Sequence, residues 1–312
     1  MKRALITGAS GFVGKHLIKE LESNGYEVFA YDRDKMNLLD YEAVHSILRK
    51  IRPDYIFHLA GIAFVPTSWT DPKLVMEVNT IGSLNIFEAV RSTGLNPVIQ
   101  IAGSSEEYGL VHEDECPINE NNVLRPMSTY AVSKIAMDFL GYQYFKSYGT
   151  RIIRTRAFNH EGYGRGEQYM TSSFAKQLVQ VAFGMKQAIQ HGNLKAQRDI
   201  TDVRDMVRAY RLAVEGGESG ENYNIGFGKA YSVQEILDKL IKIGQTRYPG
   251  VDFKTAEDAS RLRPSDVPLL LCDSTKFRDK TGWKPVYSID ETLLEEVKYW
   301  EDEFKVGTGS TI

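Results

Sequence analysis

Short apolar runs alternate with helical patterns through the first half of the chain. "RALIT", "EVFAYD", "YIFHLA" and "VIQIAG" read as strands, and "VGKHLIKELESNG", "EAVHSILRKI" and "NTIGSLNIFEAVRSTG" lie between them. A strand that reaches its neighbour only through a helix must run parallel to it, so the alternation predicts right-handed βαβ units around a parallel sheet, an α/β fold. After about Asn159 the pattern loosens. Loop-rich "NHEGYGRGEQYM" leads to helix-like "TSSFAKQLVQVAFG", a short strand "ENYNIG", the helix "SVQEILDKLIKIG" and the polar run "DASRLRPSDVP". The expectation is a sheet domain over 1–158 and a smaller C-terminal α/β domain over 159–305. Segments from about 196–225, around "QRDITDVRDMVRAYRLAVEGG", return to the sheet, and 306–312 form a loose tail. No internal repeat or low-complexity tract interrupts this order.

The 312 residues, 42% of them hydrophobic, suffice for one large core or two joined ones. A net charge of -3 and a pI near 6.1 give no basic stripe, which argues against a nucleic-acid partner. Cys116 and Cys272 stand far apart without metal-ligand spacing. They read as two thiols in a reducing compartment, with no disulfide framework and no metal site. The start "MKRALITGAS" passes directly into a strand and a glycine turn, and no stretch approaches ~18 uninterrupted apolar residues. The expected location is therefore the cytoplasm, with no membrane partner.

"TGASGFVG" places Gly8, Gly11 and Gly14 between the first strand and the first helix. A turn without side chains lets a diphosphate approach the backbone, and the helix N-terminus offers N–H groups and a partial positive charge. The spacing G-x-x-G-x-x-G is one residue longer than the common dinucleotide fingerprint. The second strand ends in "FAYDRD". Asp32 stands where a carboxylate accepts from an adenosine ribose diol and repels a 2′-phosphate, which favours NAD, whereas Arg33 beside it suits the 2′-phosphate of NADP. NAD is slightly favoured.

"IAGSSEEYG" follows the fourth strand and brings Ser104 to the carboxyl edge of the sheet, where open α/β folds bind ligands. "STYAVSK" sets Tyr130 and Lys134 four residues apart, on one face of a helix. Taken in order, "TGASGFVG", "HLAG", "GSSEEYG" and "YAVSK" resemble the short-chain dehydrogenase/reductase superfamily, in its extended branch acting on nucleotide sugars. The resemblance implies a Rossmann-type doubly wound parallel sheet. It also implies that Lys134 lowers the Tyr130 pKa and binds the nicotinamide ribose, that Tyr130 exchanges a proton, and that Ser104 bonds the same sugar oxygen.

By the same resemblance Phe12, Val13, Asn37, Leu38, Leu59 and Ala60 join the glycines around the cofactor, with Asn37 toward the adenine amine. His58 in "HLAG" and Asn79 in "VNTIGSLNIFEA" look like contacts in that half, although buried polar residues often only satisfy backbone groups. Glu106 lies where the 4,6-dehydratases of the superfamily carry a proton-abstracting glutamate; Ser105 is taken as a substrate contact and Glu107 as scaffold or surface.

"RAFNHEGYGRG", "GNLKAQRDITDVRD" and "RPSDVPLLLCDSTKFRDKTGWKP" resemble runs of the GDP-mannose branch. They imply that Arg198 and Arg263 pair with a substrate diphosphate or ribose and that Asn159, Asn193 and Asp266 hold the rest of the nucleotide. Arg204, among Asp199, Asp202 and Asp205, reads as a surface salt bridge. The favoured activity is reduction of a GDP-4-dehydro-6-deoxy-mannose. The alternatives are a GDP-mannose 4,6-dehydratase, suggested by Glu106, and a non-catalytic NAD(P)-binding scaffold or sensor. The family resemblance further implies a homodimer through "GSLNIFEAVRS" and "AVSKIAMDFLGYQYFKSYG", where Ile135, Phe139, Leu140 and Tyr142 face either a partner or the chain's own core.

Overall fold

Six strands pair in the order Tyr26–Tyr31, Lys2–Thr7, Tyr55–His58, Val98–Ser104, Ile152–Ala157 and Asn222–Ile225, every neighbour parallel. This is the expected doubly wound sheet. A computed structural model describes residues 1–261 and 267–307; Arg263, Asp266 and residues 308–312 lie outside the described residues. The helix Ile289–Gly307 runs into the first two positions of the expected tail.

The period of two in the strands sorts side chains into the two faces. Ala4 and Ile6 enter a core with Leu17 and Leu21 of the helix Phe12–Ser23 and with Met206, Val207 and Tyr210 of the helix Val203–Gly216. Leu5, between them, enters the opposite core with Leu48, Phe87 and Met137 from the helices Tyr41–Ile51, Gly82–Thr93 and Thr129–Tyr148. Both faces of the sheet are covered, which explains why its strands read as nearly continuous apolar runs. "ENYNIG", met in the later part of the sequence, supplies the strand Asn222–Ile225 that completes the sheet edge.

From Lys2–Thr7 the chain winds first to Tyr26–Tyr31 on one side and then to Tyr55–His58 on the other. That reversal opens a crevice at the carboxyl ends of the strands. Over it stands a second core formed by Phe174, Leu178, Ile236, Leu240 and Leu293. It carries a smaller sheet in which Gln197–Asp202 pairs with Ala230–Ser232, Leu269–Leu270 and Asn159–Glu161. Among the described residues no helix is long and apolar enough to cross a membrane.

Candidate active site

A cleft of about 1520 Å³ runs along the carboxyl edge of the large sheet. Its wall begins at the glycine loop. Gly8 has φ +72, and a Cβ on it would lie 2.9 Å from the Ala60 backbone; on Gly14 it would lie 2.5 Å from the Gly8 and Ala9 carbonyl oxygens. The helix Phe12–Ser23 then starts at Gly11 with no side-chain cap, so its first N–H groups face the cleft without an internal acceptor. A backbone cradle at an uncapped helix start fits the diphosphate of a dinucleotide. Phe12, Val13, Asn37, Leu38, Leu59 and Ala60 all line the same cleft.

Asp32 lines it too, but its carboxylate is already engaged. Both oxygens accept from the Ser10 N–H, at 2.9 and 3.1 Å. The acid thus fixes the glycine loop, with exposed Arg33 beside it in the lining.

His58 and Asn79 do not reach the cleft lining. His58 is buried between Thr7 Oγ1, 2.9 Å from Nδ1, and Ser83 Oγ, 2.8 Å from Nε2. Ser83 spends its proton on the Asn79 carbonyl, so it accepts from Nε2–H and the ring is neutral; burial and the nearby Lys134 charge bring its pKa down to about 3. Asn79 accepts from the Ile62 N–H at 2.7 Å and donates to the Ile62 carbonyl and to Ser133 Oγ, which donates in turn to the Tyr130 carbonyl. These residues tie the cleft wall to the Thr129–Tyr148 helix and are internal supports.

Ser104, Ser105, Glu106 and Tyr130 reach the lining together. Ser104 ends its strand and caps the turn Ser105–Glu107, its hydroxyl accepting from the Glu106 N–H at 3.2 Å. Burial pushes the phenol above its ordinary pKa; nearby Ser104 pulls it down, while Glu106, Glu107 and Tyr169 push it further up.

Lys134 stands back from the cleft surface. It is buried and absent from the cleft lining; its Nζ donates to the Ala102 carbonyl at 2.8 Å and lies 5.8 Å from the centre of the Tyr130 ring. Burial holds the Tyr130 pKa above its ordinary value, so the phenol does not stand acidified as the resemblance implies. Burial brings Lys134 itself down to about 8, with Glu107 pulling the other way. It lies close behind Gly61 of the cleft lining, where a Cβ would come within 3.8 Å of Nζ.

From the later segments Asn159, Asn193 and Arg198 line the cleft. Asn193 Oδ1 accepts from the Lys195 N–H at 3.0 Å, and Arg198 donates to the Gln197 and Val267 carbonyls at 2.8 and 2.7 Å. Arg204 pairs with Asp202, 2.8 Å away, outside the lining. Sequence reasoning missed His160, Arg165 and Tyr169. The Arg165 guanidinium lies 3.5 Å over the Tyr169 ring and 4.7 Å over Phe12, held by Glu161 at 3.2 Å, and His160 stacks on Phe12. The signal was an arginine and a tyrosine within the glycine-rich loop "NHEGYGRGEQYM", which spacing alone does not tie to a distant phenylalanine.

The profile of the GDP-mannose 4,6 dehydratase family matches residues 34–296. The chain is 30% identical over 307 residues to a GDP-6-deoxy-D-mannose reductase of Pseudomonas aeruginosa, covering 97% of this chain and 99% of that one. It is 29% identical to a GDP-mannose 4,6-dehydratase of Vibrio cholerae, covering 95% and 93%. The structure of RMD from Pseudomonas aeruginosa complexed with NADPH superposes with a TM-score of 0.89 at 30% identity, covering 97% of this chain and all of that one.

Proposed function

The chain belongs to the GDP-mannose 4,6 dehydratase family, of the extended short-chain dehydrogenase/reductase type, and on that premise we propose that it reduces the C4 ketone of a GDP-4-dehydro-6-deoxy-mannose. The observation that carries this reading is the meeting of Ser104 and Tyr130 in the cleft that the glycine loop opens. A bound nicotinamide supplies the hydride. Ser104 holds the sugar oxygen, and Tyr130 gives it a proton as C4 becomes an alcohol. A phenol kept protonated by burial suits a proton donor better than a base, which favours reduction over the opposite direction. Lys134, close behind Gly61, would hold the nicotinamide ribose and set a positive charge near the oxygen that Tyr130 protonates. Asn159, Asn193 and Arg198, with Ser105, hold the nucleotide sugar, and the later part of the chain from 159 serves mainly as its binding half.

NADH is the favoured cofactor because Asp32, anchored by Ser10, sets a negative charge at the ribose. Arg33 provides the counter-argument for NADPH, so the ratio of kcat/KM for the two is the measurement. The second reading, a 4,6-dehydratase, rests on Glu106 in the lining two residues beyond Ser104. Purified protein given GDP-mannose without reduced cofactor separates the two: a 4-keto-6-deoxy product sinks the reductase-only reading, and cofactor oxidation only with the keto sugar sinks the dehydratase.

A homodimer completes the proposal. Val132, Phe139 and Tyr142 share one exposed face of the Thr129–Tyr148 helix, with Ile81 also exposed before the neighbouring helix, while Ile135 and Leu140 are half-buried. Sedimentation of the wild type and of Phe139→Glu tests it: a wild type that sediments as a monomer sinks the dimer.

A further inference from the structure

The segment from Gly162 to Ser172 brings Arg165 and Tyr169 to the cleft, where they meet both walls of the half that the glycine loop opens. Arg165 lies over Phe12 at the start of the first helix, and the Phe64 ring meets the Tyr169 ring edge-on at 6.0 Å. From behind, the segment is held by the C-terminal helix. Leu293 and Val297 of Ile289–Gly307 share the second core with Phe174 and Leu178 of the helix Met170–Ala182, which brings Glu296, Tyr299 and Trp300 against the segment. Glu296 is buried, and its Oε1 accepts from the Gly162 N–H at 3.2 Å and from the Thr171 hydroxyl at 2.9 Å. One carboxylate thus ties the two ends of the segment together. The Trp300 Nε1–H donates to Ser172 Oγ at 3.0 Å, and that hydroxyl donates to the Arg165 carbonyl at 2.7 Å. The Tyr299 ring packs edge-on against Tyr163 at 5.0 Å. Glu296, Trp300, Thr171 and Ser172 all stand outside the cleft lining.

We infer that Glu296 and Trp300 are positioning residues: acting through Gly162, Thr171 and Ser172, they set the place of Arg165 and Tyr169 in the cleft and thereby the affinity for the nicotinamide cofactor. The inference rests on the reading of the glycine loop as the cofactor's seat given above. Its physical reason lies in where the restraints come from. The Arg165 N–H donates to the Gly162 carbonyl and the Tyr169 N–H to the Gly166 carbonyl, both at 3.1 Å, and such local bonds fold the turns of the segment without fixing where those turns stand. The His16 contact to the Tyr163 carbonyl anchors its middle. The carboxylate and the indole anchor its ends, from a helix 125 to 134 positions further along the chain. Ordering a segment before its ligand arrives removes that cost from binding, so losing an anchor weakens affinity without touching a ligand atom.

Trp300→Phe keeps an aromatic ring and removes the N–H, and Glu296→Leu removes the acceptor while keeping a side chain of similar bulk. Glu296→Gln, which retains an acceptor oxygen, is the conservative control. In the full-length chain, fluorescence titration with NADH or NADPH, whichever the wild type binds more tightly, is expected to give a Kd about fivefold higher in Trp300→Phe and in Glu296→Leu. Glu296→Gln is expected to stay within twofold of wild type, as is kcat at saturating cofactor in all three. An unchanged Kd in either of the first two, or a rise in Glu296→Gln equal to that in Glu296→Leu, overturns the proposal. Because the Ser172 relay ends on the Arg165 backbone, Trp300→Phe added to Arg165→Leu is expected to raise Kd little further, and full additivity of the two also overturns it. A purely structural role would lower Tm and the active fraction and leave the Kd of the folded chain where it was. Hydrogen exchange in the ligand-free chain separates this inference from its premise. The amides from Gly162 to Ser172 are expected to exchange about fivefold faster in Trp300→Phe and Glu296→Leu, and unaltered exchange overturns the proposal. A cofactor Kd that Gly14→Ala leaves unaltered sinks the premise instead.

Discussion

The glycine loop and the segment from Asn159 to Tyr169 meet along the same cleft but are held by different means. The loop is held by its backbone: Gly8 and Ala9 N–H groups donate to the Tyr31 carbonyl at 2.9 and 3.3 Å, and Ser10 N–H donates to Asp32. Beyond its short strand Asn159–Glu161, which pairs with Gln197–Asp202, the later segment is held largely by side chains. Arg165 spans Phe12 and Tyr169, Glu161 holds Arg165, and the His16 ring bonds the Tyr163 carbonyl at 2.8 Å. A backbone-held site fails when a side chain is added, and a side-chain-held one fails when a side chain is removed.

The largest effect is expected where neither support is touched. Tyr130→Phe is expected to lower kcat by about 10²–10⁴-fold while cofactor affinity, read by fluorescence titration, stays within twofold. Normal turnover in that variant would remove the proton donor from the scheme. Acid sharpens the comparison next, because buried His58 bonds the Thr7 hydroxyl just before the glycine loop and half-buried His160 lies in the later segment. Burial lowers His58 to about 3 and His160 to about 4, the latter helped by Arg165. Both folded values lie below the ordinary 6.5, so the stability they contribute is present above pH 6.5 and is lost as pH falls toward those values. For His58 the loss is on the order of 4 kcal/mol by pH 3. His160→Gln is expected to flatten the fall in Tm between pH 6.5 and 4, and an unaltered slope there would mean that its burial is not coupled to folding.

Gly14→Ala adds the methyl that the Gly8 and Ala9 carbonyls exclude. It is expected to cost about 1–3 kcal/mol in denaturant unfolding and to weaken the cofactor more than the nucleotide sugar. Equal weakening of both ligands would break the assignment of the loop to the cofactor. The smallest effect on KM belongs to Arg165→Leu, which removes two ring contacts and the Glu161 ion pair; about a fivefold rise in KM is expected.

The alternating runs, the glycine loop and the arrival of Ser104 and Tyr130 in one cleft were legible in the sequence. Each depends on residues adjacent in the chain or on the rule that parallel strands end at a common edge. Asn159, Asn193 and Arg198 were also found, through motifs that the family resemblance supplied. What the chain order did not reveal was the setting of the charged groups. Lys134 shares a face with Tyr130 as the spacing predicts, yet its ammonium turns to the Ala102 carbonyl, 32 positions away. Glu107 reads as a second glutamate in a polar turn and becomes the buried partner of Arg156. Sequence by itself determined which backbone would form and where its strands would end, because propensity and periodicity act between near neighbours. Only the tertiary structure decided which charges are buried and what they face, because desolvation and Coulomb interaction depend on groups that folding brings from distant strands and helices.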